Sequence, residues 1–282
     1  MTAATDTGKS RPTARRRSVP SAIRRVATAA VLGPLVVFLV VVGLWQLGLF
    51  HAIFNLKTFT VPYPSGIVGG IEEHAPRLIA ALSESLPAAV VGYAGGIALG
   101  FALASILVLA APGLANRVMS VLASVNALPI AALAPLLALW IGAGFGLKAV
   151  VVVIMVTPTV VVYTMRGFTS VDPMTLELLD SYEATGATIF RTVRVPTALP
   201  FVLTAMKSCV VLALIGVIVT EVVTGFSGIG FVIVASLGAF QTVQGWLALL
   251  TVSAIGITWY LLLEGLERVA VPWDAAARKG GS

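Results

Sequence analysis

The sequence predicts an all-α membrane protein with six transmembrane helices, and three observations predict it. Of 282 residues, 58% are hydrophobic and 11% are charged, whereas a soluble domain carries about a quarter charged residues. Apolar segments at roughly 28–50, 86–110, 118–141, 147–166, 200–222 and 246–266 each approach or exceed the ~20 residues needed to cross a bilayer core. Lys and Arg are also distributed very unevenly among the connections between these segments, as cytoplasmic and outer loops are. Many of the segments are rich in Val and Ile, but in lipid the backbone polar groups must be satisfied internally, so the spans are helices.

Residues 1–27 are a basic cytoplasmic tail with Lys9, Arg11, Arg15, Arg16, Arg17, Arg24 and Arg25. The tail is rich in Ser, Thr, Ala and Pro and is predicted to be disordered. It directly precedes a span, so its charge is read as anchoring and topology, with no nucleic-acid partner. The first span, 28–50, is too long for a signal-peptide core and lacks a small-x-small cleavage site, so it is read as retained. Residues 51–85 form an external connection containing "VPYPSG" and "GIEEHAPRLIAALSESL"; the second part predicts a short amphipathic helix at the outer interface. His51 and His74 lie here without metal-ligand spacing such as HExxH.

Residues 86–268 are the core of the membrane domain. "GYAGGIALG" places Gly92, Gly96 and Gly100 on one helix face, where small residues let helices approach closely. Packing within one subunit is the expected use, and a contact between subunits is the alternative. Pro129 and Pro135 fall in the third span, and Thr157-Pro158-Thr159 in the fourth. Proline removes a backbone donor and bends a helix. Asn126 and Glu221 are polar groups at or near membrane depth, and an ionisable residue there is a functional candidate. Asn126, Pro129, Pro135, Thr157, Pro158 and Glu221 are therefore the candidate pathway or gate residues. Glu221 lies near the outer end of the fifth span. The connection 224–245 is apolar and Gly-rich with no Lys or Arg, and is predicted to fold back into the membrane or line a cavity. Cys209, the single cysteine, excludes an intrachain disulfide and reads as a small core residue. Residues 269–282 form a second cytoplasmic tail.

Orientation follows from charge. With the N-terminus inside, the outer segments hold only Lys57, Arg77 and Lys148 of the 18 Lys and Arg residues. The other fifteen lie in or beside inner segments, Lys207 a short way into the fifth span. The positive-inside rule thus places both termini and the connection 167–199 in the cytoplasm of a cell whose plasma membrane the chain crosses.

No catalytic constellation stands out: there is no Ser/His/Asp set, no paired intramembrane carboxylates, no metal spacing and no GxxxxGK[ST]. The chain is read as a non-enzyme that binds no cofactor of its own. A stand-alone channel or ion-coupled carrier is the alternative. It would need charged or polar residues at mid-membrane together with an internal inverted repeat; only the few polar positions above, and no repeat, are evident.

The most informative stretch is "LELLDSYEATGATIFRTVRVPTALP", residues 176–200. Asp172-Pro173 predicts a helix start, with proline at the first helical position. Leu176, Leu179 and Tyr182 recur at helical spacing, with Glu177 and Asp180 beside them. Gly186 is a natural break, and "TIFRTVRV", which includes Arg191, predicts a second short helix. A helix that lies on lipid is rich in Lys and Arg on its polar face. This first helix is acidic, so docking on a soluble partner is the reading it favours.

The segment resembles the coupling-helix loop of binding-protein-dependent ABC importer permeases, and the likeness extends over about 61–273. It is carried also by "VPYPS", "LPIAALAPLLALWIGAGFGLK", "VTEVVTGFSGIGFVI" and "LERVAVPW". It is nearest to the nitrate/sulfonate/taurine branch, which includes permeases for thiamine precursors and riboflavin. The resemblance implies the type I ABC importer permease fold. It implies two ATPase subunits that hold ATP and Mg, a second permease copy or related chain, and an extracytoplasmic solute-binding protein. It assigns Leu176, Glu177, Leu179, Asp180, Tyr182, Glu183, Gly186 and Arg191 to ATPase coupling. The family motif is Glu-Ala-Ala, three residues, then Gly. Two registers are open: "EATG" starts it at Glu183, whereas counting back from "RVPTALP" starts it at Glu177 and puts Glu183 at the glycine position. The second suits the spacing better. The substrate implied is a small organic molecule, with a pyrimidine or flavin-like heterocycle favoured over nitrate or a sulfonate.

Overall fold

The computed structural model describes residues 21–110, 121 and 129–272, with side chains from Leu32 onward. The chain divides into two compact units, 1–57 and 58–282. In the first, α1 (Ser21–Gln46) continues through Pro34 and is followed by α2 (Leu49–Phe54). Gly48 and Asn55, both with positive φ, bracket α2. From Leu32 to Val41 the side chains of α1 are exposed and apolar, as lipid contact requires.

The second unit holds α3 (Pro64–Gly69), α4 (Ile71–Ala110), α5 (Ile130–Ile141), α6 (Phe145–Thr169), α7 (Pro173–Ser181) and α8 (Gly186–Ile189). A π-helical turn, Phe190–Arg194, leads into α9 (Val195–Thr224), and α10 (Ile229–Gly238) and α11 (Thr242–Ala270) complete it. All described elements are helical. Four helical runs are long and apolar enough to cross a membrane: α4, α6, the run 186–224 ending in α9, and α11. They contain the expected second, fourth, fifth and sixth spans. Of the first and third, Leu32–Gln46 and Ile130–Ile141 are shorter apolar helices; most of the remainder of the third lies outside the described residues.

Residues 71–85 differ from expectation. They form no separate interfacial helix but are the first turns of α4, a continuous helix of 40 residues, roughly 60 Å long at 1.5 Å per residue. Helical geometry survives Pro76 and Pro87 because Leu78, Ala81, Ser85, Ala88 and Ala89 are buried along this stretch. Tertiary packing outweighs the lost donors.

Helix α6 is the centre of this unit. Over its apolar window 56% is buried, against 22% for α11. One side of α6 meets α4, where Gly92, Gly96 and Gly100 face Val152, Val156 and Val160. The glycine stripe is therefore a contact within one chain. The same valine stripe also borders α9: Val152, Val156 and Val160 share a core with Ala205, Cys209, Ala213 and Val217. Cys209 is fully buried there. Tyr93 of α4 donates to the Met206 carbonyl of α9 at 2.9 Å and packs edge-on against Trp259 of α11 at 4.9 Å.

Candidate functional site: the loop between α6 and α9, and a buried ion pair at the opposite end

Each end of the loop 170–194 is keyed into the helices it joins. Asp172 caps α7 by accepting from the Met174 N–H at 3.1 Å, and Pro173 takes the first turn. At the far end of α7 the Ala184 N–H reaches the Leu179 carbonyl, and the Glu183 N–H that of Asp180. These two bonds define a Schellman stop, whose residue past the cap is left-handed and usually glycine. Here that residue is Glu183, with φ 55°. Gly186 is not the break expected of it. It is the first residue of α8, capped by Thr185, whose hydroxyl accepts from the Thr188 N–H.

The return to the membrane is equally determined. The Val195 N–H bonds the Phe190 carbonyl five residues back, which makes the π turn. Phe190 packs on Phe168 at the end of α6 with ring centroids 5.2 Å apart, and Phe168 meets Phe101 of α4 at 5.9 Å. At Gly167 a Cβ would come 2.6 Å from the Cα of Ala198, so α6 and α9 cross in backbone contact beside the loop. The loop is thus in contact, directly or through Phe168, with α4, α6 and α9.

The outward face of α7 differs from the face predicted. Leu176 and Leu179 are half-buried. The exposed apolar side chains are Met174 (74%), Leu178 (56%) and Tyr182 (75%), four residues apart and so on one stripe. Of the predicted anchors Tyr182 alone is on it. Simple spacing matched both stripes, and only the packing decided between them. Glu177, Asp180, Glu183 and Arg191 are all exposed, and none belongs to an ion pair among the described residues. Replacing Glu183 by glycine is expected to raise stability by about 1 kcal/mol, because an L side chain in the left-handed region costs roughly that much. Thermal unfolding in detergent measures this, and Glu183→Val should shift the midpoint the other way.

The pathway candidates separate by location. Asn126 lies outside the described residues. Pro129 precedes α5 and Pro135 lies within it, both exposed. Thr157 and Pro158 are buried in α6; the Thr157 hydroxyl donates to the Val153 carbonyl at 2.7 Å in the seam with α4. Glu221 is completely enclosed and is the hub of a polar cluster. Its Oε1 accepts from Lys148 Nζ at 2.7 Å and from Ser85 Oγ at 2.6 Å, and its Oε2 accepts from the Gly230 N–H at 2.8 Å. Ser85 Oγ in turn accepts from the Ile229 N–H at 2.9 Å. Water, expected near Glu221 from its place at the end of a span, is replaced by these partners.

Lys148 and Ser85 are the residues that sequence reasoning missed. Lys148 reads as an outer-loop lysine but is buried in the first turn of α6. One signal was available: a lone lysine opening one span and a lone glutamate closing another, at the same predicted membrane face. A second pair, Lys207 with Glu267, joins α9 to α11 and is largely enclosed.

A model of the family described as binding-protein-dependent transport system inner membrane component matches residues 96–273. The chain is 33% identical over 156 residues to a riboflavin transport system permease protein, RibX, of Chloroflexus aurantiacus, covering 55% of this chain and 58% of that one. It is 27% identical to the formylaminopyrimidine transport permease protein ThiX of Halalkalibacterium halodurans, covering 86% and 96%. It is 25% identical to the taurine transport system permease protein TauC of Escherichia coli, covering 77% and 76%. A crystal structure of an amino acid ABC transporter with histidines superposes with a TM-score of 0.56 at 20% identity, over 71% of this chain and 96% of that one; that likeness bears on the fold alone. With the match taking in the loop and both Lys148 and Glu221, this chain belongs to the binding-protein-dependent transport system inner membrane components, the membrane-spanning permeases of ABC importers.

Proposed function

We propose that this chain forms the solute pathway of an ABC importer and receives its driving movement through residues 172–195 from a separate ATPase. The observation that carries the reading is α7: an exposed apolar stripe of Met174, Leu178 and Tyr182 flanked by Glu177, Asp180 and Glu183, which have no ion-pair partner among the described residues, on a loop keyed to α4, α6 and α9. Such a surface fits a groove in a soluble partner with basic groups at its rim. The left-handed Glu183 supports the register in which Glu177 begins the family motif, because Glu183 then occupies the glycine position and adopts the glycine conformation.

The assembly is two ATPase subunits, this chain with a second copy or a related permease, and a solute-binding protein on the outer face. The sequence holds no GxxxxGK[ST], so ATP and Mg are assigned to the partner. The substrate class is a small organic heterocycle of the pyrimidine or flavin kind, in line with the riboflavin and formylaminopyrimidine permeases. Discrimination rests mainly with the binding protein, since a largely apolar membrane domain offers few groups for hydrogen-bonded specificity.

The test is reconstitution into liposomes. Uptake is expected only when the ATPase and the binding protein are both supplied, and the purified chain alone should not turn over ATP. Turnover by the single chain would overturn the reading. Titrating the binding protein with riboflavin, a formylaminopyrimidine and taurine decides the substrate class; tight binding of taurine alone excludes the heterocycle. The same preparation tests orientation. With Cys209→Ala as background, a cysteine at position 57 should react with an impermeant reagent from outside and one at 278 should not. Outside labelling at 278 would reverse the topology.

A further inference from the structure

The Glu221 cluster does more than neutralise a buried lysine. Its three side chains come from α4, α6 and α9, and its two backbone N–H groups from α10. Two of the bonds hold the first N–H groups of α10, those of Ile229 and Gly230. Lys148 Nζ also reaches the Ser227 carbonyl in the turn before it, at 3.4 Å. The turn is built to let the carboxylate in. Gly228 has φ 98°, and a Cβ there would overlap the Glu221 carboxylate. A Cβ on Gly230 would come 2.6 Å from the Ile218 carbonyl.

Helix α10 has 10 residues and is roughly 15 Å long, about half a bilayer core. It joins the ends of α9 and α11 that lie away from the 170–194 loop. Left-handed residues flank it on both sides, Gly225 and Gly228 before it and Phe240 after it. Phe226 and Phe240 in these turns are 73% and 75% exposed. Apart from the packing of Ile229, Val232 and Ser236, what ties its first turn down is the Glu221 carboxylate, directly at Gly230 and through Ser85 at Ile229.

The placement of the two charges links this tie to the loop. Lys148 opens α6 and Glu221 closes α9, and the 170–194 loop connects the other ends of these same two helices. Any relative displacement of α6 and α9 driven at the loop is therefore felt as a change in the Lys148–Glu221 separation at the far end. Separating a buried pair leaves an uncompensated charge, and in the chain from the Ile229 N–H through the Ser85 hydroxyl to the carboxylate each hydrogen bond polarises the next. The cluster thus tends to be whole or broken, with little in between.

We propose that Ser85, Lys148 and Glu221 are positioning residues of the transport cycle: they latch the first turn of α10 across the end of the pathway opposite the coupling loop, and the latch opens when the loop displaces α6 against α9. This rests on the ABC permease reading above. A purely structural cluster would lower stability when cut. A latch, when cut, also shifts the resting equilibrium toward the open state, which the ATPase reads as stimulation without the binding protein.

The experiment uses the full complex in liposomes with the Cys209→Ala chain. Ser85→Ala removes one tie and no charge; Glu221→Gln removes the charge and keeps the shape; Lys148→Met with Glu221→Gln leaves no uncompensated charge. ATP hydrolysis without binding protein is expected to rise about tenfold, the change that a shift of about 1.4 kcal/mol in the resting equilibrium produces. Solute moved per ATP should fall, and a cysteine replacing the buried Val232 on α10 should label faster. Should Glu221→Gln not assemble, Ser85→Ala and the double variant carry the test. Unchanged basal hydrolysis, unchanged solute per ATP and unchanged labelling in assembled Ser85→Ala and double-variant complexes would overturn the latch. Wild-type complex without binding-protein-dependent uptake would instead overturn the permease reading itself.

Discussion

Gly96→Leu is expected to lower the unfolding midpoint and the yield of folded chain sharply, since insertion into a filled seam costs ~1–3 kcal/mol or more and each 1.4 kcal/mol changes the folded-to-unfolded ratio about tenfold. Gly92, Gly96 and Gly100 recur every four residues on α4, and Val152, Val156 and Val160 recur every four on α6. A Cβ at Gly92, Gly96 or Gly100 would stand 2.6–2.7 Å from the Cβ of the facing valine, closer than carbon atoms approach. All three valines are fully buried and also border α9, so they cannot retreat. Leucine at Gly96 must therefore force α4 and α6 apart along the central seam of the unit. Gly265→Ala is the contrast: nothing lies within 4 Å of its Cβ position, and alanine in a helix interior is favoured over glycine by roughly 0.5–1 kcal/mol. Monodisperse yield and the unfolding midpoint in detergent measure both. A Gly96→Leu chain that matches wild type in both would mean that α4 and α6 do not meet through this face.

Replacing Met174, Leu178 and Tyr182 together by alanine should weaken ATPase binding by a factor of about 30 or more. Truncating an interface anchor typically costs ~2 kcal/mol or more, which is about 30-fold in affinity. Among the described residues nothing covers these side chains, and they are the contact surface proposed above for the ATPase. Adding Glu177→Ala and Glu183→Lys should increase the loss. A desolvated charge pair across an interface is worth ~2–5 kcal/mol, and a rim pair much less. Leu176→Ala and Leu179→Ala act differently: these residues are half-buried, so their loss should appear first in the unfolding midpoint. Insertion into the membrane should be normal in the exposed-stripe variant. Co-purification with the ATPase and uptake in the same cells are the two measurements. Full retention and full uptake in the combined variant would exclude the coupling role.

The division between what could and could not be read in advance runs through particular residues. Asp172-Pro173 signalled a helix start, and α7 begins there, because a cap and a first-turn proline act within three residues of each other. Gly186 was read as the break between the short helices, yet Glu183 takes the left-handed position. A Schellman stop depends on where the helix's last carbonyls find donors, and this placed it three residues earlier than composition suggested. The stretch 71–85 carries the charge pattern of a surface helix, but burial of Leu78, Ala81 and Ser85 makes it part of α4.

The sequence by itself determined the membrane class, the positions of the long apolar helices, the location of the charged loop between the fourth and fifth spans, and the family. Those are properties of composition, of runs about 20 residues long and of local motif spacing, and none requires knowing which helix touches which. The tertiary structure alone decided that the glycine stripe of α4 closes on α6 of the same chain, that Met174 and Leu178 face outward while Leu176 and Leu179 do not, and that Lys148 is buried. It also decided that Glu221 meets Lys148 and Ser85, residues 73 and 136 positions away. A lone lysine and a lone glutamate beside apolar segments read as solvated ends when each is taken with its neighbours. They become a buried pair because α4, α6 and α9 pack closely enough to exclude water from between them, and a charge deprived of water must find its opposite.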